Sequence, residues 1–346
     1  MAGQKIRWGL AGTGTIAREF AHTLAEVPGA FLAAAGSRTV TASARFCSEF
    51  NVAKSHLSFQ DMAADDGIDA VYVSTPAGLH HEHATLFMEA GKHVLVEKPF
   101  ALSHAEALDL ARTAHRTGTV LMEAMWSRFL PAYVELKRLV DEGAIGELRR
   151  VEASFGFPIP ESGRDGRPRL YEPALGGGSL LELGVYPVQL SHWLLGRDPA
   201  VAAFGRSSSL GVDLDTSALL SFGDGVTASA SSSMRTVLPN DARILGTDGF
   251  ISLPAPHHCP QELTIWRYEP SGPGVLEPEV IKKPIVGGGL RYEILEFHSL
   301  LETGRSQSSV MPHADTLNIM RTLDLIGHQV RTSSGTVSNY LQGQPT

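Results

Sequence analysis

The first half of the chain alternates between short apolar runs and longer segments with helical spacing. Residues 5–10 form an apolar run, and the segment GTGTIAREFAHTLAEV then places Ile16, Phe20 and Leu24 on one helical face. The alternation repeats with the runs AFLAAAGS, DAVYVST and HVLVE, which precede helical segments at 41–50, 79–90 and 103–117. Strands that alternate with helices in this way predict a parallel sheet covered on both faces.

The pattern changes after about residue 123. A helix is predicted near 133–142, and longer segments such as LRRVEASFGF, TSALLSF and GVTASASSSM then alternate apolar and polar positions. This period of two is typical of antiparallel strands with one solvated face. We therefore predict an α/β chain of two domains: residues 1–123 with a doubly wound parallel sheet, and residues 124–346 as an α+β domain with a mostly antiparallel sheet.

Length and composition restrict the possible functions. A chain of 346 residues is too long for one typical core. Its 29 basic and 37 acidic residues give a formal charge of −8, and no basic run is long enough to follow a phosphate backbone, which argues against nucleic acid. The two cysteines, Cys47 and Cys259, form neither a disulfide framework nor a four-thiolate metal site, so we expect a reducing cytoplasm.

Membrane insertion and export are also not expected. No apolar stretch approaches the roughly 20 residues that are needed to span a bilayer. The N-terminal sequence MAGQKIRWGLAG passes into a glycine-rich loop before the apolar core of a signal peptide could form. We therefore predict no membrane partner.

A glycine motif follows the first predicted strand. It has the form G-x-G-x-x-A, with Gly12, Gly14 and Ala17 between a strand and a helix. Gly12 permits a tight turn, Gly14 lets the backbone approach a pyrophosphate, and the helix N-terminus offers unpaired N–H groups. The motif is weak alone, but this context predicts a Rossmann dinucleotide site. The expected contacts in the loop are Gly9, Gly12, Gly14, Thr15 and Ile16.

The end of the second predicted strand indicates which dinucleotide binds. An NAD site usually has an Asp or Glu about 20 residues beyond the glycine motif, where it binds the ribose hydroxyls. The run AFLAAAG ends instead in Ser37 and Arg38, whose hydroxyl and guanidinium groups suit a 2′-phosphate. We therefore expect NADP, with NAD as the alternative if Arg38 is only a solvated surface residue.

Several histidines lie in the segment STPAGLHHEHA at 74–84. His80 and His83 would share a helical face, but the H-E-x-x-H spacing of a zinc site is missing, so we predict no metal. His80 lies at a helix start beyond the carboxyl end of a strand, where we expect it to face the coenzyme. His81 and His83, like the HHCP segment at 257–260, are assigned surface or packing roles.

The segment HVLVEKP at 93–99 ends a buried run in a charged pair. Lys98 emerges at the carboxyl end of this predicted strand, beside the nicotinamide half of a dinucleotide laid across the sheet. An ammonium group there can hold a substrate hydroxyl and stabilise the alkoxide that develops as hydride leaves. A surface ion pair of Glu97 and Lys98 is the alternative. Together with the glycine motif, the position favours a catalytic lysine.

The motifs GTGTIA, STPAGLH and GKHVLVEKP and the strand-rich second half resemble the glucose-fructose oxidoreductase, inositol dehydrogenase and rhizopine catabolism (Gfo/Idh/MocA) family over essentially the whole chain. The segments MEAMWSRFLPA and RLYEPALGGGSLLELGVYPVQLSHWLLG are similar to its branch of dimeric dihydrodiol dehydrogenases and NADP-dependent xylose dehydrogenases. The resemblance implies that the second sheet is open and that it often forms a dimer interface, so we expect a homodimer.

The resemblance also implies site residues. Lys98 would position the reacting hydroxyl. The further catalytic residues would be Glu182 and Tyr186, which stand where the family has an aspartate four residues before a tyrosine or histidine. On a helix these two share a face that Gln189 and Trp193 continue. A neighbouring ammonium would favour the phenolate form of Tyr186, which suits general acid–base catalysis. The matched segments extend the coenzyme contacts to Thr75, Pro76, His80, Glu97 and Lys98.

Two positions depart from the family pattern. Glu182 reaches one methylene further than aspartate, which affects substrate contacts more than hydride transfer, and Ala77 replaces an asparagine that is often found after the proline. The substrate-binding residues are expected to be Trp126, Arg128, Phe155 and Tyr186, and Phe157 is a further candidate for the wall of the substrate pocket. A core role fits the two phenylalanines equally well, because alternating aromatics are normal in strands. Arg128 is the better polar contact.

These residues predict an NADP-dependent oxidoreductase. It would interconvert a secondary alcohol, or the anomeric hydroxyl of a small sugar, polyol or dihydrodiol, with a carbonyl or lactone. Three alternatives stay open: a sugar-nucleotide ketoreductase, which needs a larger basic cleft; an NAD-dependent glycosidase of the same family; and a non-catalytic NADP-sensing protein. The last would not need Lys98 and Tyr186, so the presence of both favours an enzyme.

Overall fold

The computed structural model describes residues 5–162, 167–196, 198–269, 274 and 276–340, of which 333–340 are described by backbone alone. The chain divides into two compact units that are not contiguous in sequence. The first comprises Met1–Phe129 and Ile285–Leu317, and the second comprises Leu130–Pro284 and Asn318–Thr346. In the part of the chain that is described, we find no helix with the length and apolar character that crossing a bilayer requires.

The first unit contains a six-stranded sheet in which all neighbouring strands are parallel. The strands are β1 (Ile6–Ala11), β2 (Ala30–Gly36), β3 (Lys54–His56), β4 (Ala70–Val73), β5 (His93–Glu97) and β6 (Leu121–Ala124). Their order is β3-β2-β1-β4-β5-β6, so the direction of winding reverses between β1 and β4. This order confirms the predicted Rossmann fold, in which ligands bind outside the carboxyl ends of the strands at that reversal.

Five helices lie between the strands of this sheet, and all but the short one at Phe59–Ala63 follow predicted amphipathic segments. They are α1 (Thr15–Ala25), α2 (Val40–Phe50), α3 (Phe59–Ala63), α4 (His80–Glu89) and α5 (His104–Thr117). In α1 the spacing of Phe20 and Leu24 buries one face. At the start of α5 the Ser103 hydroxyl accepts a hydrogen bond from the N–H of Glu106, and Gly118 ends the helix with a φ of 69°.

The second unit contains a sheet of eight strands. They are β7 (Leu148–Gly156), β8 (Ala200–Ser207), β9 (Asp213–Ser221), β10 (Thr227–Ser233), β11 (Ala242–Gly246), β12 (Gly249–Leu253), β13 (Glu262–Arg267) and β14 (Glu279–Lys282). Every neighbouring pair is antiparallel except β7 and β10, which are parallel. The predicted mostly antiparallel sheet is thus confirmed. The same unit contains α6 (Pro131–Asp141) and α7 (Val185–Leu195).

The two faces of the second sheet differ in exposure. Along β9 the side chains alternate, so that Ala218 and Leu220 are buried while Leu219 on the opposite face is 48% exposed. The strand register places Ala202 of β8 and Ser229 of β10 beside Leu219, so these residues lie on the same outward face. Further along, Phe250 on β12 stacks on Trp266 of β13 with ring centroids 5.5 Å apart. The outward face is therefore rich in small polar residues with scattered apolar ones.

A late segment of the chain, residues 285–317, belongs to the first unit. It contains α8 (Arg291–Thr303), and α9 (His313–Tyr340) begins there and continues in the second unit. The helix α8 packs on β1, because the Phe297 ring lies 5.1 Å from the ring of Trp8 and His298 Nε2 accepts a 3.0 Å hydrogen bond from Trp8 Nε1. Trp8 is completely buried by these contacts.

Candidate active site

The glycine loop lies where β1 ends and α1 begins. Gly12 has a φ of +115°, and a Cβ on this residue would lie 2.9 Å from the carbonyl oxygen of Ser74, so only glycine fits there without strain. Gly14 caps α1 with no side chain, and a Cβ built on it would meet no atom of the described residues within 4 Å. The side-chain position of Gly14, at the start of α1, is therefore open space. This cradle fits the pyrophosphate of a dinucleotide.

The end of β2 lies next to this loop. The hydroxyl of Thr13 donates a hydrogen bond to that of Ser37, 3.4 Å away, and Ser37 is half-buried. Arg38 is exposed, and the pKa of the nearby His83 is lowered by burial first and by the positive charge of Arg38 in addition. No carboxylate stands at this strand end. An exposed guanidinium beside a hydroxyl suits a 2′-phosphate.

His80 begins α4 and connects the segments that follow β4 and β5. Its Nε2 lies 2.8 Å from the carbonyl oxygen of Thr75, and its Nδ1 lies 3.0 Å from that of Pro99. Burial lowers the pKa of His80 to about 4, so the neutral ring donates only one of these two hydrogen bonds. The imidazole thus ties the loop with Thr75 and Pro76 to the residue after Lys98. Its expected contact with the coenzyme stays a prediction.

Glu97 and Lys98 stand at the carboxyl end of β5. Glu97 is buried, and its carboxylate accepts hydrogen bonds from the hydroxyl of Tyr72 and, at 3.1 Å, from the backbone N–H of Lys98. Lys98 itself is half-buried. The Tyr72 hydroxyl and the Lys98 N–H thus fix the Glu97 carboxylate at the end of the strand. Tyr72 is therefore a supporting residue that the sequence pattern did not reveal, since it was simply part of an apolar strand.

Tyr186 lies in the second unit, against the aromatic side chains of Phe155 and His258. Its ring is 5.6 Å from Phe155 and 4.7 Å from His258, measured between ring centroids, and its side chain is 6% exposed. His258 also lies 3.7 Å, through Nε2, from the sulfur of Cys259. The HHCP segment was predicted to have a surface or packing role, and its sequence does not show that a turn brings His258 against Tyr186.

His257 is buried behind this cluster. Its ring lies 6.2 Å from the ring of Phe155, and neither ring nitrogen has a hydrogen-bond partner among the residues described. Burial lowers the pKa of His257 to about 3, so the imidazole is neutral. For this half of the HHCP segment the packing role is the observed one.

Glu182 lies in a π-helical turn, Leu180–Gly184, directly before α7. Glu182 therefore lies just outside the α-helix that contains Tyr186, and the expectation that the two side chains share one face stays a prediction. Glu182 accepts a 3.1 Å hydrogen bond from Arg169. Gln189 is completely buried, and Trp193 stacks on Tyr133 at 5.5 Å.

Trp126 and Arg128 belong to the first unit. Trp126 is half-buried, and a Cβ on Gly289 would lie 2.4 Å from its ring. Arg128 is completely buried and donates hydrogen bonds to Asp315 at 2.6 Å and to the carbonyl of Val310 at 3.1 Å. These internal contacts occupy the guanidinium, so we do not propose Arg128 as a substrate contact. Among the residues described, no group of His, Cys, Asp or Glu is placed to hold a metal ion.

Known proteins match this chain in sequence and in fold. Residues 6–125 match a model described as an oxidoreductase family with an NAD-binding Rossmann fold, and residues 133–252 match the GFO/IDH/MocA C-terminal domain. A trans-1,2-dihydrobenzene-1,2-diol dehydrogenase of Danio rerio is 33% identical over 329 residues, which are 94% of this chain and 97% of that protein.

Two solved structures share the fold. The 3-ketoreductase KijD10 from Actinomadura kijaniata, in complex with NADP and TDP-benzene, aligns with a TM-score of 0.83 and 27% identity over 95% of this chain and 98% of its own. An aldose-aldose oxidoreductase from Caulobacter crescentus, complexed with glycerol, aligns with a TM-score of 0.81 and 26% identity over the same shares of the two chains. Family models match both halves of this chain, and a relative is 33% identical over 94% of it, so this chain belongs to the GFO/IDH/MocA oxidoreductase family.

Proposed function

We propose that this protein is an NADP-dependent oxidoreductase that acts on a secondary alcohol or an anomeric hydroxyl of a small sugar, polyol or dihydrodiol. The observation that carries the proposal is Lys98 at the carboxyl end of β5, with its neighbour Glu97 anchored by Tyr72. This is the edge of the sheet at which the glycine cradle binds a dinucleotide. The relatives named for dihydrodiol, ketoreductase and aldose activity support small hydroxylated substrates.

The choice of NADP rests on the end of β2. Ser37 is held by Thr13 at 3.4 Å and Arg38 is exposed beside it, whereas an NAD site would have a carboxylate there. NADP in the KijD10 complex agrees with this preference. The residues that would hold the coenzyme are Gly9, Gly12, Gly14, Thr15, Ile16, Ser37, Arg38, Thr75, Pro76, His80, Glu97 and Lys98.

The proposed catalytic groups are Lys98 and Tyr186. A bound nicotinamide supplies the hydride acceptor or donor. The ammonium of Lys98 holds the substrate oxygen and stabilises the negative charge that develops on it. The phenol of Tyr186 takes the hydroxyl proton in oxidation and returns it in reduction. Phe155 and His258 hold the Tyr186 ring on two sides, and Glu182, with Trp126, is proposed to contact the substrate.

A substrate screen tests the activity. Purified protein is mixed with NADP or NAD and a panel of sugars, polyols and dihydrodiols, and the absorbance of the reduced nicotinamide is followed. We expect turnover with NADP for at least one free sugar or diol. Absence of turnover with every substrate, in a folded protein that binds NADP, would instead support a non-catalytic NADP-sensing protein.

Substitutions test the catalytic pair. Tyr186→Phe keeps the packing against Phe155 and His258 but removes the acid–base group, so kcat should fall by about a hundredfold or more with coenzyme affinity nearly unchanged. Lys98→Met should lower kcat further, and the double variant should lose little beyond Lys98→Met if the two groups act as a unit. Tyr268→Phe, on an exposed tyrosine, is the matched control. Near-wild-type turnover of Tyr186→Phe would show that another group takes the proton.

A sugar-nucleotide ketoreductase is the second candidate. It is favoured by the similarity to KijD10, whose structure contains TDP-benzene. The two candidates differ in what they do with the nucleotide portion of the substrate. If a nucleotide-linked sugar has a kcat/KM at least about a hundredfold above that of the free sugar, the second candidate is correct, because binding energy from remote groups then drives the reaction.

We also propose that the protein is a cytoplasmic homodimer with no nucleic-acid or membrane partner. Cys47 and Cys259 are both free thiols, which suits a reducing compartment. The outward face of the second sheet, with Leu219 48% and Phe204 65% exposed, offers a surface that a second copy can bury.

A further inference from the structure

Two acidic side chains lie on the same face of the parallel sheet in the first unit. The register places Leu10 of β1 beside Tyr72 of β4, and Tyr72 beside Leu95 of β5. Glu97 is two residues beyond Leu95, so its side chain lies on the same face. The hydrogen bond from the Tyr72 hydroxyl to the Glu97 carboxylate agrees with this placement.

The helix α8 covers that face and brings a second carboxyl group to it. Trp8 lies two residues before Leu10 in β1, and its ring contacts Phe297 of α8 at 5.1 Å. Glu293 precedes Phe297 by one helical turn, so both side chains lie on the face of α8 that packs on the sheet. Glu293 has no exposed surface at all.

The two carboxyl groups differ in their hydrogen bonds. Glu97 accepts one from the Tyr72 hydroxyl and one from the N–H of Lys98, and both favour its charged form. In contrast, neither carboxyl oxygen of Glu293 has a hydrogen-bond partner within the described part of the chain. A buried carboxylate without donors is costly, whereas its protonated form is much less so. Of the two carboxyl groups, it is therefore Glu293 that is protonated and Glu97 that is charged.

The charges around Glu293 also favour its protonated form. Burial, and then the negative charge of Glu97, raise the pKa of Glu293 well above its usual range. Of the cations on elements that pack against α8, Arg18 of α1 pairs with Glu49, and Arg128 pairs with Asp315.

The remaining titratable groups near α8 do not oppose this assignment. On α1, Glu19, His22 and Glu26 are exposed. On α8 itself, burial lowers the pKa of His298, whose Nε2 accepts a hydrogen bond from Trp8, so this ring is neutral. Glu123 of β6 pairs in register with Val96 and thus lies on the other face of the sheet.

We propose that Glu293 is a positioning residue that stays protonated at neutral pH and so leaves the buried negative charge on Glu97, next to Lys98. The proposal rests on the proposed role of Lys98 in hydride transfer. When Glu293 ionises at higher pH, the second negative charge repels Glu97 and displaces the segment that presents Lys98. Turnover should therefore fall on the alkaline side with the ionisation of Glu293.

Infrared spectroscopy tests the protonation state without any substrate. The difference spectrum between the wild type and Glu293→Gln at pH 7 should contain the C=O stretch of one protonated carboxyl group, and this band should disappear as the pH rises. Glu302→Gln, at an exposed position of α8, is the control and should show no such band. In a Glu97→Gln background the band should disappear at a lower pH, because the repelling charge is gone.

The pH dependence of turnover tests the positioning role. Glu293→Gln keeps a neutral side chain of the same shape, so kcat at pH 7 should stay within about threefold of the wild type, while the alkaline limb moves upward by about one pH unit or more. Glu293→Asp retains a titratable group and should retain the alkaline limb. The melting temperature of the wild type should also fall more steeply above pH 7 than that of Glu293→Gln.

Two results would overturn the proposal. The first is the absence of a protonated-carboxyl band in the difference between the wild type and Glu293→Gln at pH 7. The second is an alkaline limb that is identical in the wild type and in Glu293→Gln. Because the infrared result needs neither substrate nor turnover, it holds or fails independently of the proposed function.

Discussion

At the scale of single residues, the proposed preference for NADP rests on the end of β2. Arg38 is exposed and Ser37 is held by Thr13, so a ligand phosphate can reach both a cation and a hydroxyl. Charge-assisted hydrogen bonds of this kind are about twice as strong as neutral ones. The adenosine 2′-position is where NADP carries a phosphate and NAD does not.

Arg38→Ala should weaken NADP binding by about 2 kcal/mol while NAD binding barely changes. Titration calorimetry with both coenzymes measures the difference. The control is Arg45→Ala, which removes another exposed arginine from α2. Equal losses for NADP and NAD, or a wild type that prefers NAD, would contradict the assignment of the 2′-phosphate to Arg38.

His257 makes stability depend on pH. Its pKa is lowered from 6.5 to about 3, so below pH 6.5 the unfolded chain binds a proton that the folded chain does not. The contribution of neutral His257 to the free energy of unfolding is therefore fully present above that pH. It decreases as the pH falls, by about 1.4 kcal/mol for each pH unit.

His257→Leu should remove this contribution and flatten the loss of stability between pH 6.5 and pH 5, a difference of about 2 kcal/mol. Urea unfolding at several pH values measures the change. His115→Leu, at an exposed position, should leave the acid dependence unchanged. An acid dependence that is the same in His257→Leu and in the wild type would show that this imidazole is protonated or solvated in the folded protein.

At the scale of elements, the start of the helix that contains Tyr186 is held by a strand. Asp213 of β9 accepts hydrogen bonds from the Ser179 hydroxyl at 2.6 Å, the N–H of Leu180 at 2.7 Å and the Thr216 hydroxyl at 3.2 Å. Gly178 has a φ of +120°, and a Cβ there would lie 2.2 Å from Asp213 Oδ1. The glycine run GGG thus lets the backbone approach the carboxylate that caps the π-turn and α7.

Asp213→Ala should lower the free energy of unfolding by about 3 kcal/mol, because it leaves several buried donors without an acceptor. Denaturant titration measures this loss. Asp198→Ala removes only an exposed ion pair with Arg321 and should cost less than about 1 kcal/mol. Similar losses for the two variants would mean that water replaces the Asp213 carboxylate at the start of the π-turn.

At the scale of the whole molecule, the outward face of the second sheet is the surface on which the dimer proposal rests. Light scattering at micromolar concentration should give about 74 kDa, twice the 37.1 kDa of one chain. Leu219→Lys places a charge on this face and should shift the equilibrium toward monomer. Val134→Lys, on the 55% exposed Val134 of α6, should not. A wild-type monomer at 37.1 kDa would contradict the proposal.

The sequence by itself determined the elements and the coenzyme edge of the first unit. Apolar runs and helical spacing are local properties, so the parallel sheet, the glycine loop and the position of Lys98 at the end of β5 followed from them. Three short elements, β3, α3 and β6, were not predicted, because three to five residues are too few to show a period. The pairing of β7 with β10 as parallel neighbours is a property of the assembled sheet, and no local pattern encodes it.

Only the tertiary structure decided which distant side chains meet. Residues 285–317 join the first unit because Phe297 and His298 pack on Trp8. The helical pattern of this segment does not indicate which strand it packs on. The same holds for His258 beside Tyr186 and for Asp213 below α7. The sequence shows Glu293 only as an acidic residue on the same helical face as the apolar Phe297. Its neutral state depends on burial and on the charge of Glu97. Burial and electrostatics arise from contacts between segments far apart in sequence, so they become defined only when the chain folds.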